Sequence, residues 1–131
     1  MVKSKSIGSD FHCTLTNGQL MLDSDAPVRK GGLGNGFRPH ELLESALASC
    51  MNISVRMKAK QLNIPLTAVE ITVNVQTENK DKTIFEYNIQ LHDDLTNEQR
   101  DKLMNIISFC KVKETLTKEL VFQKSEILDM A

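Results

Sequence analysis

Pro39-His40-Glu41-Leu42-Leu43-Glu44-Ser45-Ala46-Leu47-Ala48-Ser49-Cys50 opens the longest helical pattern in the chain. Proline suits the first turn of a helix, where its missing N–H costs no intrahelical bond. The pattern runs on until Asn63 and Pro65, so the spacing predicts one long helix over residues 39–61. Leu43, Ala46, Leu47, Cys50, Met51, Ser54 and Met57 recur at three- and four-residue steps and form one stripe. Ser45, Ala46, Ala48 and Ser49 are small and permit close approach of a neighbour, which predicts a central, heavily buried element. Arg56, Lys58 and Lys60 bring the C-terminal end back to solvent, with cations placed favourably against the helix dipole.

Strand patterns lie on both sides of this helix. Upstream, residues 11–16 and 19–23 flank Asn17-Gly18, the dipeptide that best supplies the positive φ angles of a two-residue type I′ turn, so a hairpin is expected. Residues 27–37 then form a glycine-rich connector with neither a Gly-Lys-Ser/Thr ending nor the glycine spacing of a dinucleotide fold. It reads as a flexible loop that lets backbone pass close to something. Downstream, Val69, Ile71, Val73 and Val75 alternate with polar residues, as do Phe85, Tyr87, Ile89 and Leu91, around a polar loop at residues 78–82. Two antiparallel strands with one wet face predict a sheet covered by helices on the other. Thr96-Asn97-Glu98-Gln99 is a capping box, and the helix it opens is expected to bury Leu103, Ile106, Ile107 and Cys110. A short helical segment is expected to follow Cys110, and residues 119–128 to add a last strand. The order of elements gives an α+β class, with residues 1–131 as one domain.

The formal charge of −1 argues against a nucleic-acid partner, which would need a concentrated basic face. Lys3, Lys5, Arg29, Lys30 and Arg38 are interspersed with Asp10, Asp23 and Asp25, and together they read as solvated surface. No stretch approaches the ~20 apolar residues that cross a bilayer, and Met-Val-Lys-Ser-Lys-Ser lacks the apolar core of a secretory signal. The expectation is a cytoplasmic protein without a membrane partner. Three cysteines at irregular spacing do not make a disulfide framework, so in a reducing compartment they rest as thiols.

Cys50 and Cys110 each fall on an apolar stripe. Packing the second helix on the first would bring the stripes, and with them the sulfurs, together. Two thiols that meet can run peroxide or disulfide chemistry; two that do not are small hydrophobes in a core. A reactive thiol also needs a cation or hydrogen bonds to hold its thiolate. Arg29 and Arg38 are the upstream arginines, and either could pair with Glu41 or Glu44. Along a helix Glu41 lies roughly 13 Å and Glu44 about 9 Å from Cys50, so neither carboxylate reaches it from its own helix. Help would come from a long-range contact or a second copy of the chain. His12, Cys13, His40 and His92 lack the spacing of a metal site, Cys13 reads as a strand-face residue, and no Gly-x-Ser-x-Gly supports a serine nucleophile. No metal and no cofactor is expected.

The succession of hairpin, glycine-rich loop, Pro-x-Glu-Leu-Leu, small-residue run ending in Cys50, two alternating strands and a second helix ending in Cys110 resembles the OsmC/Ohr family over nearly the whole chain. The stretch ending at Cys50 looks like the family's helix leading to its peroxidatic cysteine. Phe109-Cys110-Lys111-Val112-Lys113 looks like its second motif. The resemblance implies an OsmC-like fold with antiparallel sheets packed on a long central helix, in an intertwined homodimer with sites at the interface. It also implies reduction of small organic hydroperoxides, with Cys50 peroxidatic, Cys110 resolving, and a dithiol reductant, lipoyl-type in the Ohr branch. The sequence departs from the family at three points. His40 stands where the family's glutamate follows the proline, leaving Glu41 one step later. No arginine lies in the N-terminal hairpin, so Arg29 or Arg38 would have to substitute. Lys111 replaces the usual proline after the second cysteine. Those departures leave a different class open: a non-catalytic OsmC-like dimer that binds a small apolar or thiol ligand in the same cleft. A redox sensor that passes its oxidation state to a partner is a third class.

Overall fold

The computed structural model describes residues 1–8, 10–92 and 94–126. Contacts group the chain into two compact units, Met1–Leu42 with the residues from Val121 onward, and Leu43–Leu120.

The first unit contains a three-stranded antiparallel sheet in the order β1 (Lys3–Ser6), β2 (Cys13–Thr16), β3 (Met21–Ser24). β1 is absent from the sequence expectations because Lys-Ser-Lys-Ser has no apolar side; it is held by backbone pairing of Lys3 to Thr16 and Ser6 to Cys13. The hairpin between β2 and β3 is present, but its turn differs from the expected one. Thr16 pairs with Met21, so four residues rather than two make the connection. Asn17 does not take a positive φ. Instead its Oδ1 accepts the N–H groups of Gln19 and Leu20 at 2.9 and 2.8 Å, and Gly18 alone carries the left-handed angle, at φ 96°.

The glycine-rich segment is tied down rather than loose. Asp25, 3% exposed, is buried and not the surface residue expected of it. Its Oδ2 accepts the N–H groups of Leu33 and Asn35 at 3.1 and 3.2 Å, and its Oδ1 that of Ala26 at 2.8 Å. These donors, led by Asn35, hold its carboxyl below the usual carboxylate range, and a carboxylate so satisfied can be buried. The close backbone approach expected of the glycines is real: a Cβ on Gly32 would lie 1.9 Å from the Ala26 carbonyl oxygen, and one on Gly36 2.4 Å from the Asp23 carbonyl carbon. Val28–Lys30 forms a 3-10 turn within this segment.

α1 spans Pro39–Gln61, as the spacing predicted. It ends in a Schellman motif: Ile64 N–H reaches Ala59 O at 2.9 Å, Asn63 N–H reaches Lys60 O at 3.3 Å, and Asn63 takes φ 55°. In the second unit α1 lies against an antiparallel pair, β4 (Val69–Gln76) and β5 (Ile84–Leu91). Asn52 Nδ2 donates to Val69 O at 3.1 Å, and Glu44 Oε1 accepts the Val75 N–H at 2.8 Å, so both ends of β4 are fixed to the helix. α2 (Asn97–Ile107) and α3 (Lys111–Thr117) follow, and both bonds of the Thr96–Gln99 capping box form.

The core lies wholly in this second unit. Leu47, Met51, Val55 and Ala59 of α1 pack with Ile64, Leu103, Ile107 and Cys110, roofed by Val69, Ile71, Val73, Phe85 and Ile89. The buried face of α1 is therefore a four-residue ladder rather than the wider stripe expected. Leu43 and Met57 lie outside it, Met57 being 60% exposed. Heavy burial all round is not observed: within the second unit, sheet and helices pack on this one face of α1. The expected last strand is also absent from residues 119–126. Leu120, Val121 and Phe122 follow one another without alternation, and Phe122 is 94% exposed. Ile127 and Leu128, the rest of that expectation, lie outside the described residues.

Candidate active site: a thiol pair at the start of α3

Cys110 is not on the α2 stripe. The helix ends at Ile107, Ser108 and Phe109 make a turn, and Cys110 becomes the N-cap of α3, in extended conformation at φ −70° and ψ 147°. Its Sγ accepts the Lys113 N–H at 3.4 Å, the bond a serine or aspartate oxygen makes at an N-cap. The next free amide of the same turn, Val112 N–H, points across to α1 and reaches Cys50 Sγ at 3.5 Å. Ser54, one turn beyond Cys50, brings its Oγ to 4.0 Å from the same sulfur.

Both cysteines are free thiols, and each bears on the ionisation of the other. Burial pushes the Cys50 thiol up. The Val112 N–H, the Cys110 thiol, the Ser54 hydroxyl and the Lys111 N–H more than offset this and hold Cys50 below an ordinary thiol. Burial likewise pushes Cys110 up. The Lys113 N–H and ammonium oppose that shift, but the charge on Cys50 adds to it, and Cys110 stays above the ordinary value. One thiol is thus poised to ionise first while its neighbour keeps a proton. Lys113 Nζ rests 5.8 Å from the centre of the Tyr87 ring on β5.

Of the other residues singled out in the sequence, Cys13, Arg29, Arg38 and Glu41 fall in the first unit, and Glu44 and His92 in the second. Arg38 and Glu41 meet: Arg38 Nε and Nη2 each lie 2.6 Å from Glu41 Oε1, and Glu41 Oε2 accepts the Arg38 N–H at 3.0 Å. That N–H first, and the guanidinium second, hold the Glu41 carboxyl below its usual range. Glu41 thereby closes the first turn of α1 in the manner of a capping box. Arg29 sits exposed in the 3-10 turn and pairs with no carboxylate among the described residues. Glu44, considered as an arginine partner, binds β4 instead. Cys13 is half-buried on β2, where His12 meets Asp23 at 3.1 Å, and His92 meets Glu70 at 3.2 Å. Among the described residues no group of three or more His, Cys, Asp and Glu is arranged to hold a metal, and no helix is long and apolar enough to cross a membrane.

The donors that surround Cys50 were missed from sequence. Ser54, four residues along the same helix, was readable as a neighbour. Val112 contributes a backbone group that no side-chain pattern announces.

The chain is similar in fold to several solved structures. A Psychrobacter arcticus protein, described as an osmotic stress induced and detoxification response protein, is 24% identical, with 87% of this chain and 85% of that one covered and a TM-score of 0.74. An OsmC like protein from Mycoplasma pneumoniae is 18% identical, covering 88% and 85%, also with a TM-score of 0.74. The organic hydroperoxide resistance protein OhrB of Bacillus subtilis is 23% identical, covering 89% of each chain, with a TM-score of 0.63. No curated protein matches the sequence significantly. Residues 32–124, which run from the glycine-rich loop through both cysteines, match the family model for OsmC-like protein, and the chain belongs to that family.

Proposed function

We propose that the protein is a thiol-dependent peroxidase that reduces organic hydroperoxides through Cys50 and Cys110. The observation that carries this is the Cys50 sulfur facing the Val112 N–H, two residues past Cys110, and the Ser54 hydroxyl. The Cys50 thiolate attacks the outer peroxide oxygen and the O–O bond breaks. Cys50 becomes a sulfenic acid, and the alkoxide leaves and takes up a proton as the alcohol. Cys110 then attacks the Cys50 sulfur, water departs with the sulfenic oxygen, and a disulfide remains. A dithiol reductant returns both thiols and is itself oxidised to a disulfide.

In this reading Arg38, aligned by Glu41, or else Arg29, is the cation that orients the peroxide. The protein works as a homodimer with sites at the subunit interface. An apolar stripe of α1 supports the dimer: Leu43, Ala46, Ile53 and Met57 are exposed along one helix face, and Cys50 lies at its edge. Reduced protein treated with cumene hydroperoxide is expected to lose two hydrogens by mass spectrometry and to yield one Cys50–Cys110 peptide pair. Two persisting thiols with no peroxide consumed would end the proposal.

One observation favours a second reading, a non-catalytic dimer that binds a small apolar ligand. Val2, Leu15, Leu20, Met21, Leu22 and Leu42 line an apolar cleft of about 600 Å³ in the first unit. A Cys50→Ser variant separates the two: unchanged peroxide consumption favours binding, and complete loss favours catalysis.

A further inference from the structure

Lys113 is joined to the thiol pair by its backbone and to the sheet by its side chain. Its N–H reaches Cys110 Sγ at 3.4 Å, while its Nζ lies 5.8 Å from the centre of the Tyr87 ring on β5. Lys113, Cys110 and Glu114 line one cavity of about 230 Å³. Glu114, the carboxylate of α3, is engaged by other lysines: Lys111 Nζ lies 3.3 Å from its Oε2 and Lys118 Nζ 4.0 Å from its Oε1. Among the described residues Lys113 forms no ion pair, and its charge acts on Cys110 without a carboxylate to cancel it.

Taking the pair as the proposed peroxidase centre, on which this inference rests, we propose that Lys113, held by Tyr87, is the positioning residue that makes Cys110 a thiolate once Cys50 has been oxidised. In the reduced protein the charge on Cys50 keeps the proton on Cys110. Attack on the peroxide removes that charge. Cys50 becomes a neutral sulfenic acid, and the electron pair of the O–O bond leaves with the alkoxide. The alkoxide takes up a proton, Cys110 releases one, and the negative charge of the pair passes to Cys110. The Lys113 N–H and ammonium then face that charge without competition from Cys50. The Cys110 thiolate attacks the Cys50 sulfur, an S–S bond forms, and the S–O bond breaks with hydroxide as the leaving group. The two sulfurs have together given two electrons to the peroxide.

The neighbours of Cys110 suit this order of events. The titratable groups around it among the described residues are Cys50 on α1, Lys113 and Glu114 on α3 and, through Lys113, Tyr87 on β5. α2 brings Leu103 and Ile107 to the same core, and neither titrates. Cys110 is 1% exposed, so its thiolate needs a cation supplied by the fold, while its attack on Cys50 needs no access from solvent. A lysine ammonium swings on a flexible stem, and the ring face of Tyr87 narrows where this one rests.

The test follows the Cβ chemical shift of Cys110 against pH by NMR, in full-length protein labelled at cysteine. Cys50→Ser puts a neutral side chain in place of the thiolate and is expected to move the Cys110 midpoint to lower pH. In that background Lys113→Met keeps the N–H but removes the ammonium, and is expected to move the midpoint back up, whereas Lys113→Arg is not. Tyr87→Leu is expected to raise it in part, and Tyr87→Phe, which keeps the ring, to leave it in place. A midpoint indifferent to Cys50→Ser, to Lys113→Met or to Tyr87→Leu overturns the proposal, as does Tyr87→Phe acting like Tyr87→Leu. In a second arm, protein with both thiols receives cumene hydroperoxide and dimedone, which captures the sulfenic acid. Lys113→Met is expected to raise the dimedone adduct on Cys50 several-fold at the expense of the Cys50–Cys110 disulfide. Equal yields in parent and variant refute the role of Lys113 and leave the peroxidase reading standing. Neither adduct nor disulfide in the parent refutes the peroxidase reading, and the proposal with it.

Discussion

The Val112 N–H and the Cys50 sulfur, 62 residues apart in sequence, meet at 3.5 Å. This contact ties the first turn of α3 to the middle of α1, and it places a fixed donor where thiolate charge would develop. Proline tolerates the first turn of a helix but has no N–H to give. Val112→Pro is therefore expected to raise the Cys50 pKa and so to slow its alkylation at neutral pH several-fold. An unchanged rate would mean that the contact does not hold the thiolate.

The pair should titrate in two steps on either side of an ordinary thiol. Cys50 is held down, so its thiolate fraction, and with it the iodoacetamide rate, rises with pH around a midpoint below the ordinary thiol value of about 8.5. Below its midpoint the rate falls about ten-fold per pH unit, because only the thiolate reacts. Cys110 is held up and reacts in a second phase above that value. Peptide-resolved alkylation against pH distinguishes this order from its reverse or from one merged transition.

Glu41→Gln removes an acceptor that closes the first turn of α1 and pairs with Arg38. Its carboxyl is depressed in the folded protein, so the stabilisation is fully present above the unfolded value of about 4.3 and is lost as pH falls through the lower folded value. The variant should melt below the parent at pH 7, and the difference should shrink towards zero under strongly acid conditions. A difference that grows with acid would reverse the assignment.

Gly32→Ala places a methyl group 1.9 Å from the Ala26 carbonyl oxygen, and both partners are backbone. No rotamer change relieves that clash, so the loop must shift and loosen the bonds from Leu33 and Asn35 to Asp25. Faster amide exchange at Leu33 and Asn35, with a lower melting temperature, is the expected result.

What the sequence disclosed depended on whether side chains or backbone made the decisive contact. β4 and β5 were legible because one face is buried and the other wet, which prints a period of two. α1 was legible at both ends because Pro39 and Asn63 carry its start and stop, and the cap of α2 because Thr96 and Gln99 are its instruments. β1 was silent because Lys-Ser-Lys-Ser pairs through its backbone alone. Cys110 continued the apolar spacing of Leu103 and Ile107, yet the chain leaves the helix at Ser108 without a glycine or proline to mark the exit. Burial of Cys110 was therefore readable, while its position at a helix start was not. Asp25 looked like any surface acid because its partners are three amides.

The cap of α3 carries a further consequence. The sulfur that receives the Lys113 N–H is the same sulfur that a disulfide would engage. Whatever the cap contributes to α3 then belongs to the reduced state, and thermodynamic linkage returns it to the couple. In the proposed couple, a sequence change that stiffens this short helix through its cap would make the pair harder to oxidise, and oxidation in turn would fray the helix. The midpoint potential of the thiols and the fraying of α3 are two measurements of one quantity.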